Sequence, residues 1–223
     1  MPPMSGAQLA NFVQIITIAA IPILFAITVH EVAHGWMALQ FGDRTAQMLG
    51  RLTLNPIKHI DPVGTIAVPL LMVWLGGFLF GWAKPVPVAF RNLRNPKRDM
   101  IFVALAGPVA NIVMGIGWAL LLKVVFALGL ARGVPGEFLI SMAEIGISIN
   151  ILLAAFNLLP IPPLDGGRVL RGLVSESIGQ YLDRIEPFGL IIMVLLLVSG
   201  LLWVLVSPML ALVRSLIVFV VRL

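Results

Sequence analysis

The chain has 223 residues, 60% of them hydrophobic and 11% charged, with a mean hydropathy of +1.05. A soluble domain carries about 25% charged residues, so a water-soluble globule is excluded. Fifteen Lys and Arg against ten Asp and Glu leave +5. Basic loops of a membrane protein account for that balance, so no nucleic-acid partner is expected. There is no cysteine, which removes disulfides, thiolate metal ligands and a cysteine nucleophile.

The length leaves room for about five to six membrane segments of roughly 20 residues each. The expectation is therefore an all-α polytopic membrane protein forming one domain over residues 1–223, with the lipid bilayer as its surroundings. Met1 to Ala10 carries no Lys or Arg, and the apolar run after it contains a His and a Glu. That is not the pattern of a cleaved signal peptide, so the first segment is read as a retained span.

Apolar blocks run from about Leu9 to Phe41, Val63 to Trp82, Ile101 to Leu130 and Phe138 to Leu159, and a last one from Phe188 to Leu223 is expected to divide near Ser207-Pro208. Basic residues set the orientation. Arg44, Arg51 and Lys58 follow the first block; Lys84, Arg91, Arg94, Lys97 and Arg98 follow the second; Arg168, Arg171 and Arg184 follow the fourth. The positive-inside rule places these three loops in the cytoplasm. Val63–Trp82 must then enter and leave on one side as a re-entrant segment, which requires surrounding protein or water. In the third block, Asn111 shares a helix face with Gly107 and Gly115, which reads as close helix packing. Lys123 reads as a side chain reaching for the interface.

Within the first block stands His30-Glu31-Val32-Ala33-His34. On a helix, positions i and i+4 lie on one face, so both imidazoles can bind one zinc ion, and Glu31 can reach a water at the metal as general base. Ionisable groups inside a span point to function by default. A catalytic zinc usually has three protein ligands, and His59, Asp61, Glu144 and Asp165 are the candidates for the third. Asp165 is the one on the same side as the histidines. It ends the run Asn157-Leu158-Leu159-Pro160-Ile161-Pro162-Pro163-Leu164-Asp165-Gly166-Gly167. The prolines break a helix there, and the glycines let the chain turn closely past another backbone.

The pair HEVAHGW and NLLPIPPLDGG resembles the site-2 protease family of intramembrane zinc metalloproteases. Gly107-Pro108-Val109-Ala110-Asn111, GRLTLNPIKHIDP and GWAKPVPV are weaker marks of the same family. The resemblance implies one Zn2+ per chain held by His30, His34 and Asp165, with Glu31 as general base or acid and Asn157 aiding the oxyanion or the substrate. It implies an endopeptidase acting on bonds in or near transmembrane segments of membrane-protein substrates. It also implies the plasma membrane of a prokaryote, an active site toward the cytoplasm, and a compact core without PDZ or CBS domain. A short edge strand near Lys84 to Ala89 is expected to hold an unwound substrate. A metal transporter or a catalytically silent scaffold are the other readings of such a chain, and oligomeric state is left open.

Overall fold

The structure is a computed structural model that describes residues 6–67 and 84–222. Its helices are α1 (Gly6–Gln40), α2 (Thr45–Met48), α3 (Pro96–Ala127), α4 (Gly133–Asn157), α5 (Asp165–Leu173), α6 (Glu176–Ile185), α7 (Gly189–Val198) and α8 (Leu201–Val221). No strand occurs among the described residues. Gln14–Gln40 of α1, and all of α3, α4 and α8, are long and apolar enough to cross a membrane. The chain is thus an all-α membrane protein.

The central helix is α3, which packs against α1, α4, α5 and α8. It starts where Pro96 occupies the first turn, a position that needs no amide donor. The Asp99 carboxylate accepts the Asn95 N–H at 2.8 Å. Small residues let its neighbours close in. Gly115 lies against Ile217 of α8 and Asn150 of α4, beside a core of Ala119, Ala154, Ala155, Val213, Ile217 and Val221. The Lys123 ammonium, one turn from the end of α3, donates to the Val221 carbonyl at the end of α8 at 2.9 Å. The last carbonyls of a helix lack intrahelical donors and attract cations.

The last apolar block divides at Ser199-Gly200, not at Ser207-Pro208. Gly200 takes a left-handed φ of 75° between α7 and α8, a conformation open to glycine at little cost. Pro208 sits inside α8 without ending it. The carbonyl that its missing amide would have paired belongs to Val204, and the Ser207 hydroxyl donates to it at 3.3 Å. Serine hydroxyls re-satisfy carbonyls freed by proline in membrane helices.

The excursion between α1 and α3 starts and ends at one place. Arg94 N–H donates to the Phe41 carbonyl at 3.0 Å, and Lys84 N–H to the His59 carbonyl at 2.9 Å. The re-entrant course expected for Val63–Trp82 falls outside the described residues beyond a π-helical turn at Pro62–Ala67. Its flanks nonetheless meet.

Candidate metal centre

His30 and His34 project from the second half of α1 toward α3, where Gly107 faces them. A Cβ on Gly107 would collide with both rings, so the close approach of the helices depends on that glycine. Asp165 arrives from the other direction. After α4 ends at Asn157, the chain turns through Pro160-Ile161-Pro162-Pro163, with a cis peptide between the last two, and α5 begins at Asp165. A Cβ on Gly166 would strike the carbonyls of Leu158 and Leu159, and one on Gly167 would lie 2.6 Å from the Pro162 nitrogen. This is the tight backbone passage expected of the two glycines. Although Asp165 is the first residue of α5, the N-terminus of that helix has no side-chain cap; its carboxylate turns to the imidazoles.

The Asp165 Oδ2 atom lies 3.3 Å from His30 Nε2 and 3.2 Å from His34 Nε2, and the two Nε2 atoms are 3.0 Å apart. All three residues are buried. The outer nitrogens decide what stands between them. His30 Nδ1 is 2.6 Å from Asn111 Oδ1, and His34 Nδ1 is 2.7 Å from the Val103 carbonyl. Both partners can only accept, so each imidazole donates from Nδ1 and, when neutral, presents a lone pair at Nε2. The orientation of Asn111 is fixed because its amide nitrogen donates to Asn150 Oδ1 at 2.9 Å and to the Ala26 carbonyl at 3.3 Å. Asp165 Oδ2 is itself buried without a hydrogen-bond donor. Three lone-pair atoms therefore converge with no proton assigned among them. A cation at the centre would satisfy all three, and the His2Asp donor set suits zinc with one position left open.

Glu31, one residue round the helix, is half-buried, and its Oε2 accepts the Val86 N–H at 2.7 Å. Val86 lies in the segment Lys84–Ala89, which is neither helix nor strand, so the edge strand expected there is not formed.

The remaining candidates have other work. His59 is buried and its Nε2 meets the Thr53 carbonyl at 2.9 Å. The Asp61 carboxylate accepts the Val63 and Gly64 amides at 2.9 and 2.7 Å, as a turn aspartate does. Glu144 is exposed on α4 beside a cavity of about 470 Å³ that Gln14 and Ser141 also line. Asn157 turns its amide to its own helix, donating to the Leu153 carbonyl at 3.0 Å. The residue whose position the sequence reading undervalued is Asn111: it does pack α3 against α1 and α4, but it does so by gripping a metal-ligand candidate. The sequence shows only that it lies one turn beyond Gly107 on the same helix face; its pairing with His30 appears in three dimensions.

Comparison with known proteins gives one consistent direction. The profile of peptidase family M50 matches residues 134–200. The chain is 39% identical over 182 residues to YwhC of Bacillus subtilis, which is provisionally named a zinc metalloprotease, covering 81% of this chain and 80% of that protein. It is 32% identical over 181 residues to Rip2 of Mycolicibacterium smegmatis, whose name makes the same provisional assignment, covering 79% of this chain and 64% of the relative. Zinc metalloprotease MJ0392 of Methanocaldococcus jannaschii is 23% identical over 154 residues, 69% of this chain and 33% of its own length. No solved structure matches.

Proposed function

We propose, for a chain that belongs to the site-2 protease family, peptidase family M50, that it is a zinc-dependent endopeptidase cleaving peptide bonds in or near transmembrane segments of membrane proteins. The observation that carries this reading is the convergence of His30 Nε2, His34 Nε2 and Asp165 Oδ2 in a membrane helix bundle with a glutamate one residue from the first histidine. Zinc held by these residues supplies Lewis acidity, lowering the pKa of water toward about 7 and polarising a carbonyl.

The chain's own groups do the rest. Glu31 takes the proton of the attacking water on its free oxygen and returns it to the leaving amine. Asn111 and Val103 hold the two imidazoles in one tautomer, so their Nε2 atoms stay available. Helices α1, α3 and α4 keep bulk water from the charges, which strengthens every interaction inside. Asn157, at the mouth of the proline turn, needs only to release the Leu153 carbonyl to offer its amide to an oxyanion or an unwound substrate. The whole chain acts as one catalytic domain. Its active end faces the cytoplasm of a prokaryotic cell, as the basic loops favour.

The test is a cleavage assay on synthetic single-span peptides with purified wild type and Glu31→Gln. Cleavage by the wild type that the variant loses supports the reading. Equal cleavage by both removes Glu31 from the mechanism, and binding of zinc without cleavage of any peptide would favour a metal carrier.

A further inference from the structure

A general base in a flexible side chain must be aimed, and the structure shows what aims this one. The segment Lys84-Pro85-Val86-Pro87-Val88-Ala89 crosses the second half of α1. Pro85 and Pro87 have no amide hydrogen, so between Lys84 and Val88 the Val86 N–H is the single main-chain donor, and Glu31 takes it. One carboxylate oxygen is thereby fixed, and the other is left for the proton.

The register of this segment is set by side chains from elsewhere. The Arg51 guanidinium donates to the carbonyls of Lys84 at 2.9 Å and Pro85 at 3.3 Å. The Asp43 carboxylate accepts the Ala89 N–H at 2.7 Å. The Val86 side chain is buried over Gly35, where an added Cβ would lie 2.6 Å from Val86 Cγ1 and 2.6 Å from Leu52 Cδ2. A slip of one residue would offer Glu31 a proline.

We propose that Arg51 is a positioning residue for the reaction, acting on Glu31 through the main chain of Lys84–Ala89, with Asp43 and the Gly35 notch as the other anchors. This rests on the reading of Glu31 as general base. Arg51 is not part of the His30–His34–Asp165 cluster; its guanidinium holds the main chain beside one amide. Because Arg51 holds the two carbonyls just before that amide, its loss frees the segment at the point where Glu31 depends on it.

The experiment uses the full chain in detergent micelles, loaded with zinc. Hydrogen exchange of the peptide covering Lys84–Ala89 is compared among wild type, Arg51→Ala, Arg51→Lys, Glu31→Ala and Glu31→Gln. Protection of the Val86 amide is expected in wild type and in Glu31→Gln, whose side-chain oxygen still accepts, and its loss in Glu31→Ala and Arg51→Ala. Zinc affinity, titrated against a chelator, stays within about twofold of wild type for both Arg51 variants. On a cleaved single-span peptide, Arg51→Ala lowers kcat by about 10 to 100-fold, the scale of a misplaced catalytic group, with KM unchanged. Arg51→Lys, which keeps one donor for the Lys84 carbonyl, recovers most of that loss. Wild-type kcat in Arg51→Ala, or Val86 exchange that is the same in wild type and Glu31→Ala, overturns the inference. Full activity of Glu31→Gln would instead overturn the reading on which it rests, and the two failures are told apart by which variant shows them.

Discussion

Both ends of the Asn111 amide are engaged by its neighbours, and its Oδ1 favours the His30 tautomer that carries the proton on Nδ1 and a lone pair on Nε2. Outer partners of this kind typically affect metal affinity by about 10 to 100-fold. Asn111→Ala is therefore expected to weaken zinc binding by that factor, read by competition with a chelator. Asp165→Ala should weaken it further, since it removes the proposed third ligand and a negative charge from a low-dielectric site. Asn157→Ala should leave zinc affinity intact and lower single-turnover cleavage by about 10² to 10³. If Asp165→Ala kept wild-type affinity, the ligand assignment would fail. Asp43 works at a distance from this chemistry. Burial alone would raise its carboxyl pKa, but hydrogen bonds from the Thr45 hydroxyl and amide, the Ala89 amide and the Asn92 side chain bring it below the usual carboxylate range. A folded value below the unfolded one of about 3.9 gives stability that is present above that pH and is lost as pH falls through the folded value. Asp43→Asn should lower stability at neutral pH and flatten this part of the acid limb, checked by thermal melts between pH 7 and pH 3.

At the scale of elements, α8 shows how a span tolerates proline and charge. Ser207→Ala would strand the Val204 carbonyl in the bilayer, at a cost of about 0.6 kcal/mol, the average for such side-chain bonds in membranes. Arg214, exposed well inside α8, has the opposite sign of effect: Arg214→Leu is expected to improve membrane insertion by about 3 kcal/mol, measured as the inserted fraction of a reporter fusion. The excursion between α1 and α3 is tested by single cysteines at Arg44, Asn95 and Ser175, all exposed, in a chain with no other thiol. All three should resist an impermeant reagent added outside intact cells. Labelling at Asn95 alone would contradict the hydrogen bond that ties Arg94 to Phe41.

Across the whole molecule, four apolar helices of the five to six segments expected, and the metal-ligand candidates, were legible because they depend on local pattern. Apolar runs declare helices, i and i+4 histidines declare a shared face, and a proline-rich run ending in Asp-Gly-Gly declares a turn. What stayed hidden depends on pairs far apart in the chain. Nothing local to Asn111 says that its partner is 81 positions earlier, and nothing in Lys84–Ala89 says that its amide belongs to Glu31. The break at Gly200 was misplaced because proline is a visible helix breaker, whereas the serine that rescues its carbonyl acts only in three dimensions.

The two imidazoles and the Asp165 carboxylate also come from distant reaches of the chain, His34 and Asp165 being 131 positions apart. A metal ion shared among them is a cross-link, and closing a loop of that length restricts an unfolded chain by up to about 5 kcal/mol in the chain-entropy relation for disulfides. A bilayer that already keeps the helices upright reduces this figure, but it does not remove it. Withdrawing zinc with a chelator should therefore do more than stop turnover. It should lower the thermal midpoint of the micellar protein and open the proline turn to added protease, so that the lifetime of the chain in its membrane follows the supply of its metal.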